Sequence, residues 1–149
     1  MTYFLKTFFR KLNNAGPLAG RRILVVEDES SQRLMLQRVL EKQGALVVVA
    51  QDGNEGLRQA AECCPEVILL DERMPVMTGI QMCKKLKEHE VTKHIPVIFL
   101  TAADSSDDII EHFSLGAEFH LSKPIQAKEL VSQILITLNN QKEDGHARP

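Results

Sequence analysis

Five short apolar runs, separated by segments with helical spacing, constrain this chain more than any other feature. The runs are Ile23–Glu27, Ala45–Ala50, Val67–Asp71, Val97–Thr101 and Phe119–Ser122. Most are continuous Val, Ile and Leu, the pattern of strands buried on both faces of a parallel sheet. The intervening segments place apolar residues three and four apart. Leu34, Leu36, Val39 and Leu40 mark the first helix, after Ser30-Ser31. Leu57, Ala60 and Ala61 mark the second, which stops before Pro65. Ile80, Met82, Cys83 and Leu86 mark the third; Ile109, Ile110, Phe113 and Leu115, between the cap cluster 104–108 and Gly116, mark the fourth. Leu130, Val131, Ile134, Leu135 and Leu138 mark the fifth. Right-handed crossovers turn such an alternation into a doubly wound sandwich with helices on both sheet faces.

In that architecture the site lies beyond the carboxyl ends of the strands. There the chain places carboxylates: Glu27-Asp28-Glu29 ends the first run and Asp71 ends the third. Converging like charges raise one another's pKa values, and a hard divalent cation such as Mg²⁺ relieves them. A carboxylate beside such a cation can attack a phosphoryl donor and form an aspartyl phosphate. The transferred group needs charge neutralisation on its oxygens. Lys123, just after the fifth run, is placed to supply it. Thr101 can donate a hydroxyl hydrogen bond, and the N–H groups of Ala102 and Ala103 can help.

These pieces resemble the receiver domain of two-component response regulators, of the single-domain chemotaxis type. The resemblance rests on ILVVED, LLDERMP, FLTA and HLSKP, in the family's order and spacing, over roughly residues 21–139. It implies a flavodoxin-like α/β fold, a five-stranded parallel sheet of order 2-1-3-4-5. Helices one and five lie on one face, and two, three and four on the other. It implies Asp71 as phosphoacceptor. Asp28, Asp71 and the backbone carbonyl of Arg73 would bind Mg²⁺, with Glu27 acting directly or through water. Thr101 would be the switch hydroxyl, Lys123 the phosphoryl contact, and Lys123-Pro124 a cis peptide. The implied partners are a histidine kinase or phosphotransfer protein and a downstream protein. The implied role is a signalling switch in the cytoplasm that catalyses its own phosphorylation and dephosphorylation, without a separate substrate.

The chain departs from the family in places. The position that reads Thr101 is usually Tyr or Phe and here is His120, which suggests a weaker or pH-sensitive switch; the simpler reading is a partly exposed strand residue. Glu72 follows the acceptor where an apolar residue is commoner. Arg73 holds a position that in the family modulates phosphate lifetime.

Composition sets the remaining bounds. The 149 residues suffice for one domain, and a net charge of -2 argues against coating a nucleic acid. No apolar stretch reaches the ~20 residues that span a bilayer. Cys63, Cys64 and Cys83 suit a reducing compartment and read as small buried hydrophobes. His89 and His94 read as surface residues. Residues 1–22 carry Lys6, Arg10, Lys11, Arg21 and Arg22 and no carboxylate. Met1, Phe4, Leu5, Phe8, Phe9 and Leu12 fall on one arc of a wheel, which predicts a basic amphipathic helix of about three turns. Residues 13–20, with Gly16, Pro17 and Gly20, read as a linker. The predicted helix could dock on the domain, on a partner or weakly on a membrane surface. The division is therefore 1–20 helix and linker, 21–139 receiver, and 140–149 disordered tail.

Two other function classes compete. One is a phosphorylation-independent adaptor anchored by the N-terminal helix. The other is an aspartyl-nucleophile phosphohydrolase, but that class wants D-x-D, and this chain has Asp71-Glu72-Arg73. A dinucleotide binder is disfavoured because no glycine-rich turn follows the first run.

Overall fold

The computed structural model of the chain describes residues 16–102 and 106–146. The predicted N-terminal helix and Ala103 lie outside the described residues. The elements are β1 (Arg22–Val26), α1 (Ser30–Lys42), β2 (Leu46–Ala50), α2 (Gly53–Cys63), β3 (Val67–Asp71), α3 (Gly79–Glu88), β4 (Val97–Thr101), α4 (Ser106–Ser114), β5 (Phe119–Ser122) and α5 (Ala127–His146). The five strands form one parallel sheet in the order β2-β1-β3-β4-β5.

The apolar runs form strands because each of their faces meets a helix layer. Every residue of β3 and β4 is buried, while the edge strand β2 is mostly half-exposed. Alternate side chains sort into two cores. Ile23, Val25, Leu69 and Ile98 pack with Leu36 and Leu40 of α1 and with Leu130, Ile134 and Leu138 of α5. Leu24, Val26, Leu70 and Phe99 pack with Ala60 of α2 and with Met82 and Leu86 of α3.

Register sets the site. Val26 pairs with Leu70, so one residue further on Glu27 stands beside Asp71. Thr101 pairs with Ser122, so Lys123 follows at the same end of the sheet. Local signals shape the helices that leave this end. Asp52 caps α2 by accepting from Glu55 N at 2.8 Å, and Thr78 and Gln81 form a capping box on α3. Gly79 lets α3 start hard against the acceptor strand. A Cβ there would run into the Asp71 carbonyl and lie 2.9 Å from Glu72 Cα.

Several boundaries differ from the sequence reading. Residues 17–20 form a turn, and Leu18 is fully buried in the α1–α5 core, its N–H donating to Gln43 O at 3.0 Å. An apolar side chain two residues past Gly16 gains more by entering that core than by staying in water. α5 continues to His146, past Leu138 where its apolar periodicity stops. Gln, Lys and Glu there are good helix formers and prolong the helix without a core contact. Cys83 is buried, but Cys64 is exposed, in the left-handed turn that ends α2. Ile110 and Phe113 of α4 are 68% and 48% exposed, so these two apolar positions do not lie on its buried face. His89 and His94 are exposed as expected. Among the described residues, no helix is long and apolar enough to cross a membrane.

Candidate functional site

The carboxyl ends of β1 and β3 bring three acids together. Oxygens of Glu27, Asp28 and Asp71 all lie within 4.8 Å of one another. Glu27 and Asp71 are buried, and Asp28 is exposed at the mouth. Lys123 enters from the end of β5. Its Nζ lies 3.2 Å from Glu27 Oε2 and 3.2 Å from Asp71 Oδ1. Its backbone N–H donates to Thr101 O, fastening the β5 exit to β4. The Lys123-Pro124 peptide is cis.

One lysine does not balance three carboxylates. Burial, and then the charge of Glu27, push the Asp71 carboxyl up to about 7, against the pull of Lys123. On Lys123, burial alone would favour the neutral amine. Asp71 and Glu27 outweigh it, so the ammonium is held above its ordinary pKa. The pocket thus has excess negative charge and oxygen-only donors, the donor set that a hard divalent cation prefers. The residues present fit Mg²⁺ on that ground.

The other expected residues frame Asp71. The Arg73 N–H lies 3.4 Å from Asp71 Oδ1, while its side chain is exposed. Thr101 is buried, and its Oγ1 finds no hydrogen-bond partner among the described residues. A buried hydroxyl without a partner is costly, so the pocket has an unused donor at its β4 wall. His120 is half-buried on the edge strand β5, its ring edge-on to Phe113 at 5.9 Å.

Two residues escaped the sequence reading. Arg33, in the first turn of α1, donates from Nη1 to Glu27 O at 2.8 Å and to Asp28 O at 3.2 Å, clamping the acidic loop. Its signal was weak, a basic residue five positions after an acidic pair. His112 is buried beside Glu72, and only its spacing, three residues after Ile109, hinted at an inward position.

Residues 23–135 match the model described as the response regulator receiver domain. The chain belongs to the response regulator receiver family. Over 115 residues it is 43% identical to the phosphate regulon transcriptional regulatory protein PhoB of Escherichia coli (strain K12), covering 77% of this chain and 50% of PhoB. It thus spans about half the length of that relative. Chemotaxis protein CheY4 of Vibrio cholerae superposes with a TM-score of 0.76 at 32% identity, over 80% of this chain and 99% of that one. The receiver domain of sensor histidine kinase PA1611 from Pseudomonas aeruginosa PAO1, solved with a magnesium ion coordinated in its active-site cleft, gives a TM-score of 0.75 at 28% identity, over 81% of this chain and 99% of that one.

Proposed function

We propose that this receiver accepts a phosphoryl group on Asp71 from the phosphohistidine of a histidine kinase or phosphotransfer protein, and thereby changes its affinity for a downstream protein. The observation that carries the reading is the convergence of Glu27, Asp28 and Lys123 on a buried Asp71, beside a Thr101 hydroxyl that has no partner among the described residues.

Asp28, Asp71 and the Arg73 carbonyl would hold Mg²⁺, with Glu27 directly or through water, and the ion supplies charge neutralisation for the phosphoryl oxygens. An Asp71 oxygen forms the new P–O bond as the P–N bond of the donor breaks. The imidazole leaves with that electron pair. Lys123, already 3.2 Å from Asp71 Oδ1, pairs with the added charge. The N–H groups of Arg73, 3.4 Å from Asp71 Oδ1, and of Ala102 would donate to the phosphoryl oxygens. The Thr101 hydroxyl gains in the phosphorylated state the acceptor it lacks, which favours a Thr101 position drawn toward Asp71. His120, two residues back from Ser122 on the adjoining strand, responds to that shift and alters the surface of α4, β5 and α5. This is a population shift driven by contacts better made in one state. Hydrolysis of the acyl phosphate at the same site resets it. The reading places the chain where kinases present phosphohistidine, in the cytoplasm, with protein contact or phosphate relay as the output of this stretch.

A phosphotransfer profile tests it: purified phosphorylated kinases are offered to the chain and to Asp71→Asn. Transfer to the wild type alone supports the reading. Equal labelling of Asp71→Asn contradicts it.

A further inference from the structure

α4 is held in an unusual way. Of its side chains at positions 110–114, four are exposed and only His112 is buried, at 1% exposure. The apolar residues Ile110 and Phe113 face outward instead. His112 lies flat on Phe99 of β4, ring centroids 4.0 Å apart and planes 14° apart. Its Nε2 reaches 3.2 Å from Glu72 Oε1, off the line of a well-formed hydrogen bond, and Nδ1 meets no partner among the described residues. Glu72 is itself nearly buried.

Glu72 is the residue after the acceptor. Its N–H donates to Leu100 O on β4, and its carbonyl accepts from Gly79 N at 2.9 Å, at the start of α3. The next N–H along, that of Arg73, points at Asp71 Oδ1. One short peptide therefore connects the acceptor carboxylate, the β4 wall and, through its side chain, the buried anchor of α4 at His112.

We infer that His112 is a positioning residue: with Glu72 it latches α4 to the acceptor loop, so that α4 leaving its seat parts this pair. A buried acid–imidazole contact is a poor source of stability compared with an apolar pair of the same volume. It suits a two-position element, because it is held by imperfect geometry. Any rearrangement of the Glu72–Arg73 peptide when Asp71 is modified loosens the latch, and linkage makes the effect reciprocal. The coupling to phosphorylation rests on the reading of Asp71 as acceptor; the latch itself rests on the geometry alone.

The test is a double-mutant cycle read by amide hydrogen exchange at residues 110–114 of the whole chain. Glu72→Ala and His112→Ala are each expected to speed exchange about fivefold or more, a typical coupling. The double variant should exchange no faster than the faster single, and Glu72→Gln, which still offers an oxygen, should stay near wild type. His112→Leu keeps an apolar body on Phe99 and takes the place of the alanine variant if that one does not fold. Unchanged exchange in the single variants, or effects that multiply in the double, overturns the latch. In a second arm, Mg²⁺ and beryllofluoride form a mimic of the aspartyl phosphate, followed by fluorine NMR. The mimic should alter α4 exchange in wild type and not in Glu72→Ala. A persistent α4 response in Glu72→Ala overturns the coupling. Failure of the adduct to form in wild type sinks the acceptor reading instead, and the first arm still decides the latch.

Discussion

Replacing Asp71 by Asn should stabilise the metal-free protein at neutral and alkaline pH, although it removes a buried ion-pair partner. Asp71 rises from an ordinary 3.8 to about 7 in the folded chain. A carboxyl with a raised folded pKa contributes its full stability below the unfolded value, and that contribution disappears as pH climbs to the folded value. Wild type should therefore lose stability between about pH 4 and pH 7, and Asp71→Asn, neutral throughout, should not. A shift of roughly three units sets a ceiling of about 4 kcal/mol. Water entering past the exposed Asp28 screens part of this. The 3.2 Å contact with Lys123 is already counted in this shift, because its pull lowers the value, so it is not subtracted again. A net gain of about 1–2 kcal/mol above pH 7 remains, fading toward pH 4. Urea denaturation in EDTA at pH 4, 6 and 8 measures it. Added Mg²⁺ should recover the difference in wild type only, about 1.4 kcal/mol at ten times its dissociation constant. If Asp71→Asn is no more stable than wild type at pH 8 in EDTA, the acids do not repel as described and the electrostatic account of the pocket is wrong.

Leu18→Ala should cost about 2–5 kcal/mol in chemical denaturation, because a fully buried side chain leaves a cavity under α1 and α5. Loss below 1 kcal/mol would show that the turn before β1 is not part of the core. Thr101→Val keeps the shape and removes an unpartnered buried hydroxyl, so it should be neutral or stabilising by up to about 1 kcal/mol in thermal melts. The same variant should still accept phosphate yet lose phosphorylation-dependent partner binding in a pull-down. Gly79→Ala should destabilise by about 1–3 kcal/mol, since the added methyl meets the backbone of Asp71 and Glu72. It should also weaken Mg²⁺ binding measured by calorimetry.

The strands were legible because burial on both faces leaves no room for polar residues: the predicted β3, Val67–Asp71, and β4, Val97–Thr101, are the observed spans. Once their order was implied by the family, parallel register brought Glu27 to Asp71 and Lys123 to both. Strand order itself is a long-range property, and the runs alone did not contain it. What stayed hidden depends on tertiary neighbours. Ile110 and Phe113 look like core residues at helical spacing, yet among positions 110–114 the buried one is His112, chosen by Phe99 and Glu72 across the chain. Leu18 lies among glycine and proline that read as a linker, and only the α1–β2 corner against it makes it core. Arg33 clamps carbonyls, which a pattern of side chains does not display.

The most direct test of the account is whether Asp71 is the acceptor. The purified chain is incubated with a small acyl phosphate, with and without Mg²⁺, and its intact mass is recorded. The account predicts the gain of one phosphoryl group, only with Mg²⁺, mapped to Asp71 and absent in Asp71→Asn. An unmodified wild type under conditions where Mg²⁺ binds, or equal modification of Asp71→Asn, would contradict it.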